Sequence, residues 1–269
     1  MPELPEVENV VRGLRESLAG AVVAGAEERF AGILRGTRGA LRGLGGRRLG
    51  AITRAGKFIL IELEGGWRLL FHLGMSGKLL VVAAAARREP HTHFVLRLAD
   101  GREVRFSDPR RFGRVVLGRA GGAGDPARQV ARGREPLEIG EDEFTRLFWK
   151  RSGAIKGLLL NQTLLRGLGN IYADESLHRA GVDPRARRLS RPRLARLRAA
   201  IRDVLAEAIA AGGSSIQDYV KSNGERGWFQ VSHRVYGREG RPCPGCGTPI
   251  RRIVVAGRGT HFCPRCQGP

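Results

Sequence analysis

The chain is poor in several things at once. It holds no apolar stretch near the roughly 20 residues of a membrane span, and its first residues, Met1-Pro2-Glu3-Leu4-Pro5-Glu6, show neither the basic nor the apolar region of an export signal, so secretion is not expected. Cysteine is limited to four residues, all beyond position 242, which excludes a disulfide-built scaffold. A chain of 269 residues does not need one, because it can bury a sizeable core. Acidic residues are scarce beside basic ones, 26 against 47, for a formal net charge of +21. Lysine is scarcer still: five, against 42 arginines. Such an excess points to a polyanionic partner, nucleic acid before membrane. It is shared, +9 over residues 1–130 and +12 over 131–269, which excludes a single basic tail and suits a protein that grips a polyanion between two lobes.

What is present divides the chain by period. Val7, Val10, Val11, Leu14 and Leu18 fall on one face of a helix over 6–18, stopped by Gly20. Short runs rich in Val, Ile, Leu and Phe follow at 57–63, 67–73, 77–82, 93–98, 102–107 and 112–117, separated by Gly65-Gly66, Gly74, Asp100-Gly101 and Asp108-Pro109. That pattern predicts an antiparallel sandwich or barrel. Residues 119–134 read as a linker, and helices are expected over 142–150, 154–161, 171–180 and 192–211.

The last segment carries Cys243-Pro-Gly-Cys246 and Cys263-Pro-Arg-Cys266 with 16 residues between. Two C-x₂-C knuckles supply four thiolates for one tetrahedral Zn²⁺ with no open position, hence a structural ion. Two disulfides are the competing use of these residues, disfavoured inside a cell. The segment between reads as a hairpin, and Arg251, Arg252, Arg258 and Arg265 make it a candidate DNA contact.

The N-terminus offers different chemistry. Removal of Met1 would leave Pro2 with a free secondary amine, largely available near neutral pH compared with a lysine. Added to an aldehydic sugar carbon, such an amine gives an iminium, an electron sink for elimination. Glu3 and Glu6 stand beside it as acid/base groups. Alone, the fragment is unremarkable, and Pro5 would equally serve to open the helix.

Seven motifs in order change that. MPELPEVE at 1–8, RAGKF at 54–58, HLGMSG at 72–77, DPRRFGR at 108–114, GLGNIYADE at 167–175, VYGREG at 235–240 and GRGTHFCPRCQ at 257–267 resemble those of bacterial formamidopyrimidine-DNA glycosylases over essentially the whole chain. The resemblance implies an α+β fold: a β-sandwich domain (1–130), a helical helix–two-turn–helix domain (131–235) and a zinc hairpin (236–269). It implies excision of oxidised purines from duplex DNA with cleavage of the abasic site by β- and δ-elimination, in a cytoplasmic, nucleoid-associated monomer. Pro2 would be the nucleophile, Glu3 the general acid and Glu6 a base-recognition or relay group. Lys57, Asn170, Arg258 and one of His91 and His93 would hold phosphates; Lys156 either contacts phosphate or is solvated. Met75, Arg110 and Phe112 would fill the gap left by an extruded base, chemistry that a base buried in a duplex requires. Two glycines allow a sharp turn before Asn170, which is expected at a helix N-cap, where backbone amides meet a phosphate. Cys243, Cys246, Cys263 and Cys266 would hold the zinc.

One stretch departs from the family pattern. In GGSSIQDYV at 212–220, Gln217 stands where the family often has a basic residue, which puts lesion preference in doubt; Ser214, Ser215 and Tyr219 are secondary candidates for base recognition. Two other readings stay open: a related glycosylase for oxidised pyrimidines, against which Leu4 speaks because that branch usually has glycine there, and a non-catalytic DNA-binding protein of the same fold.

Overall fold

A computed structural model describes residues 1–36, 38–130, 132–215 and 220–268. The chain forms two compact units, one of Met1–Val130 with Ala211–Trp228, the other of Ala131–Ala210 with Phe229–Pro269.

The first unit opens with helix α1, Leu4–Leu18, two residues earlier than its apolar spacing suggests. The earlier start has a local cause: Pro5 sits in the first turn, where its missing N–H costs nothing, and Glu3 with Glu6 forms a capping box. Val7, Val10, Val11 and Leu14 then face the core.

Among the described residues nine strands follow: β1 Val23–Glu28, β2 Leu34–Gly36, β3 Leu49–Ala55, β4 Phe58–Leu63, β5 Trp67–His72, β6 Lys78–Ala83, β7 Thr92–Leu98, β8 Arg102–Ser107 and β9 Arg114–Arg119. They make a four-stranded sheet in the order β1-β7-β8-β6 and a five-stranded sheet in the order β2-β9-β5-β4-β3. Pairing is antiparallel except between β2 and β9. Phe71 of β5 meets Phe94 of β7 and Phe106 of β8 with ring centroids 5.8 and 6.1 Å apart, so one core lies between the sheets. This is the expected sandwich. The expected strand at 112–117 starts two residues later, because Arg111 takes a left-handed φ of 57° and leaves Phe112 in a loop.

The second unit holds α2 Glu141–Phe148, α3 Ile155–Leu160, α4 Asn170–Ala180, α5 Arg191–Ala210 and a hairpin of β10 Arg251–Val255 with β11 Arg258–Phe262. Leu194, Leu197, Ile201, Val204, Leu205 and Ala208 are the buried stripe of α5. α4 ends at Gly181 in the left-handed region, the usual helix stop. No described helix is long and apolar enough to cross a membrane.

Candidate functional site

The residues singled out in the sequence fall mainly into three groups, two in the first unit and one in the second, with the four cysteines as a fourth.

At the start of α1, Pro2, Glu3 and Glu6 are all buried. The Glu3 amide donates to Glu6 Oε2 at 2.8 Å, and the Glu3 side chain accepts from the Glu6 amide. Glu6 Oε1 accepts the Ser214 amide at 2.7 Å. The two carboxylates also lie at the positive end of the α1 dipole. The sequence places Glu3 and Glu6 near each other; the structure adds Ser214, 208 residues along the chain from Glu6. Ser215, next to it, accepts the Gly227 amide at 2.8 Å. Gln217 and Tyr219 lie outside the described residues. Lys57 is buried in the tight connection from β3 to β4, where Ala55 pairs with Phe58.

The second group is a pair of loops. Met75 follows β5, and Arg110 and Phe112 precede β9. All three are exposed, Phe112 by 57 %, unusual for a side chain of that size. The Arg110 guanidinium lies 5.0 Å from the Phe112 ring centre. The loops touch backbone to backbone: a Cβ on Gly74 would stand 2.5 Å from the Gly113 nitrogen. His72 holds the same turn, its Nδ1 accepting the Gly74 amide at 3.1 Å. Burial, with the nearby charges of Arg114 and Lys57, pushes the His72 pKa down to about 4, so it is the neutral ring that accepts.

The structure separates the two histidine candidates. His93 is buried, and its Nε2 donates to the Asp108 carbonyl at 2.8 Å, so the expectation of a phosphate contact there is corrected: the ring faces the protein. His91 is exposed, with a φ of 60°.

The third group joins α3, α4 and the hairpin. Lys156 is fully buried. Its Nζ meets Asp174 Oδ1 at 2.7 Å, Thr260 Oγ1 at 2.7 Å and the Gly259 carbonyl at 3.1 Å. The sequence left phosphate contact and solvation as alternatives for this residue; the structure places its ammonium against Asp174 as an ion pair, with hydrogen bonds to Thr260 and Gly259. Asn170 is the first residue of α4, and Gly169 takes the cap position expected of it. Its Nδ2 donates to the same Gly259 carbonyl at 2.9 Å. Arg258, one residue before Gly259, is exposed at the start of β11. The backbone that presents Arg258 is therefore tied to both Lys156 and Asn170.

Two neighbouring carboxylates finish this work, and sequence reasoning assigned neither a role. Asp174 Oδ2 accepts the His261 amide at 2.8 Å. Glu175 accepts three successive amides, Arg234, Val235 and Tyr236, at 2.8–3.0 Å. The available signal was two adjacent acids inside GLGNIYADE, on a helix face that ends up buried.

The four cysteine sulfurs lie within 4.8 Å of one another, with Cys243–Cys266 at 3.9 Å and Cys246–Cys263 at 3.5 Å. A disulfide needs about 2.05 Å, whereas four sulfurs about 2.3 Å from a tetrahedral zinc stand close to 3.8 Å apart. The donor set and spacing fit one structural zinc ion, with no position left for substrate.

Family models match along the chain: the formamidopyrimidine-DNA glycosylase N-terminal domain over residues 1–115, the H2TH domain of that glycosylase over 133–220, and a zinc finger found in FPG and IleRS over 240–268. The formamidopyrimidine-DNA glycosylase of Solibacter usitatus is 49% identical over 271 residues, covering 99% of both chains. That of Thermus thermophilus is 45% identical over 274 residues, covering 100% of this chain and 99% of the relative. Among solved structures, the MutM (Fpg) protein of Thermus thermophilus superposes with a TM-score of 0.87 at 44% identity, covering 99% of each chain. The Lactococcus lactis Fpg in complex with abasic-site DNA superposes at 0.91 with 36% identity, covering 99% of this chain and all of the other.

Proposed function

The chain belongs to the formamidopyrimidine-DNA glycosylase family, and from that premise we propose that it excises oxidised purines from duplex DNA and then cleaves the abasic strand through Pro2. The observation that carries the reading is the buried N-terminal cluster, in which Glu6 fixes both the Glu3 amide and Ser214. Relatives that share the fold over nearly the full length support it. A point mutant of one of them, the Lactococcus lactis Fpg, has been solved with a Fapy-dG-containing DNA.

Once Met1 is removed, the Pro2 nitrogen attacks C1′ of the damaged nucleotide. Glu3 donates a proton to the sugar or base as the glycosidic bond breaks. The base leaves with the bonding pair and the amine loses its proton; the C1′–O4′ bond then opens, O4′ taking a proton to become a hydroxyl, and the C1′=N⁺ iminium left behind makes the C2′ proton acidic. Loss of that proton expels the 3′ phosphate, and a second elimination expels the 5′ phosphate. Water then releases the sugar remnant and restores Pro2. Met75, Arg110 and Phe112 fill the space of the extruded nucleotide. Lys57, His91, Asn170 and Arg258 hold phosphates. The zinc ion keeps the hairpin folded and takes no part in the reaction. The proposed protein acts as a cytoplasmic monomer on damaged duplex DNA.

Borohydride trapping on duplexes carrying 8-oxoguanine, thymine glycol or a preformed abasic site tests this. A covalent adduct with 8-oxoguanine and abasic duplexes is expected. Preference for thymine glycol would move the substrate class to pyrimidines, a live comparison because the Lactococcus lactis Fpg has also been solved with an oxidised-pyrimidine-containing DNA. Binding without any adduct would leave a non-catalytic DNA-binding protein.

A further inference from the structure

We propose that Asp108, together with Ser76, locks the loops bearing Met75, Arg110 and Phe112 into one rigid wedge, so that Asp108 is a positioning residue for base extrusion. This rests on the wedge reading of those three side chains.

Asp108 is fully buried. No lysine, arginine or histidine forms an ion pair with it among the described residues. A buried carboxylate without a counter-ion is costly unless donors saturate it. Here the donors come from both loops. Oδ1 accepts the Ser76 hydroxyl at 2.6 Å and the Arg110 amide at 3.3 Å, and Oδ2 accepts the Gly113 amide at 2.7 Å. The Arg110 amide also reaches Ser76 Oγ at 3.4 Å. One carboxylate thus bridges the residue after Met75 and the residues on either side of the Arg111-Phe112 pair.

The main chain of Asp108 is held as well, its amide donating to the His91 carbonyl at 3.0 Å and its carbonyl accepting from His93. Arg111 completes the arrangement. Its left-handed backbone turns its guanidinium onto the Phe30 ring, 4.2 Å from the centre, and Phe30 in turn contacts His93 at 5.1 Å. All three successive residues are exposed, but the middle one stacks on Phe30 while Arg110 and Phe112 contact each other. A wedge entering a base stack works only if it keeps its shape. A loop that had to be ordered at each insertion would lose binding energy to that ordering.

The experiment compares Ser76→Ala, Asp108→Asn, Phe112→Ala and the Ser76→Ala/Phe112→Ala double variant. Single-turnover excision of 8-oxoguanine from duplex, cleavage of a preformed abasic site and the unfolding midpoint are measured for each. Loss of the Ser76 bond is expected to slow duplex excision about tenfold while abasic-site cleavage stays within about twofold. The double variant should be no slower than Phe112→Ala, because Ser76 acts only through the wedge. If Asp108→Asn fails to fold, Ser76→Ala carries the test alone. Equal loss of both activities, no loss, or additive effects with Phe112→Ala would overturn the locking role. Should Phe112→Ala itself fail to separate the two activities, the wedge reading falls and this proposal with it. Separation by Phe112→Ala but not by Ser76→Ala removes only the lock.

Discussion

Pro2 and Glu3 divide the proposed reaction so that their variants give different signatures. Pro2→Gly keeps an α-amine but makes it primary and looser; excision and strand cleavage should fall by orders of magnitude, with binding to undamaged DNA nearly unchanged because phosphate contacts carry it. A residue added before Pro2 turns the amine into an amide and should abolish the borohydride adduct. Glu3→Gln should impair base release yet retain part of the abasic-site cleavage, where no base needs a proton. His72 supplies a prediction about pH. Its folded pKa of about 4 lies below the 6.5 of the free side chain. The unfolded chain therefore binds more protons between those values, and stability falls as pH drops from 6.5 toward 4. His178 and His233 are also pushed down by burial, so wild type alone does not isolate His72. His72→Asn keeps an acceptor for the Gly74 amide without titrating; urea midpoints at pH 4.5, 5.5 and 6.5 should show a flatter slope than wild type. Residues of this kind differ in how visible they are in sequence. The cysteines announce themselves by spacing. Asp108 and Asp174 do not, because an acid that caps amides from a distant segment is written like any surface acid.

At the scale of elements, α4 is tied to the hairpin by Asn170 and Asp174 and to the segment leading into it by Glu175. Zinc and carboxylates therefore share the task of presenting Arg258. Cys243→Ser should lose about one zinc per chain by metal analysis and weaken DNA binding while the sandwich stays folded; retained zinc would refute the ligand set. The Lys156–Asp174 pair is a sharper case, since both side chains are entirely buried. Lys156→Met strands a buried carboxylate and should cost about 3–5 kcal/mol. Lys156→Met/Asp174→Asn should be less destabilised than Lys156→Met, because the stranded charge is gone while Asn keeps an oxygen for the His261 amide. Denaturant unfolding of both proteins decides this. Periodicity revealed α1, each of the six strands from β4 to β9 and all four later helices, because their apolar faces are regular. It missed β1, β2 and β3. Their burial is uneven, with β1 buried only at Val23 and β2 only at Leu34, so no alternating pattern marks them. It also carried β9 too far forward, because a left-handed Arg111 leaves no trace in hydropathy.

For the whole molecule the governing quantity is charge. The +21 is divided between both halves of the sequence, so neither an N-terminal nor a C-terminal segment alone accounts for it. If DNA is the partner, part of that charge displaces counterions from the duplex, and affinity must then fall with salt. With roughly six phosphates neutralised, a plot of log affinity against log salt should have a slope near −5. The slope counts contacts without requiring that each be seen. Removing one phosphate contact should change it by about one unit. Arg258→Ala is the natural variant, because Arg258 is exposed and its backbone is held by Gly259 independently of its own side chain. Phe112→Ala is the matching control: it touches no phosphate in the proposed complex and should leave the slope as it is while slowing excision. Affinities for undamaged and abasic duplexes, measured from 50 to 300 mM salt, give all three slopes. A wild-type slope shallower than about −2 would mean that most of the basic surface does not face DNA. An unchanged slope in Arg258→Ala would remove that arginine from the set of phosphate contacts, however well the hairpin presents it.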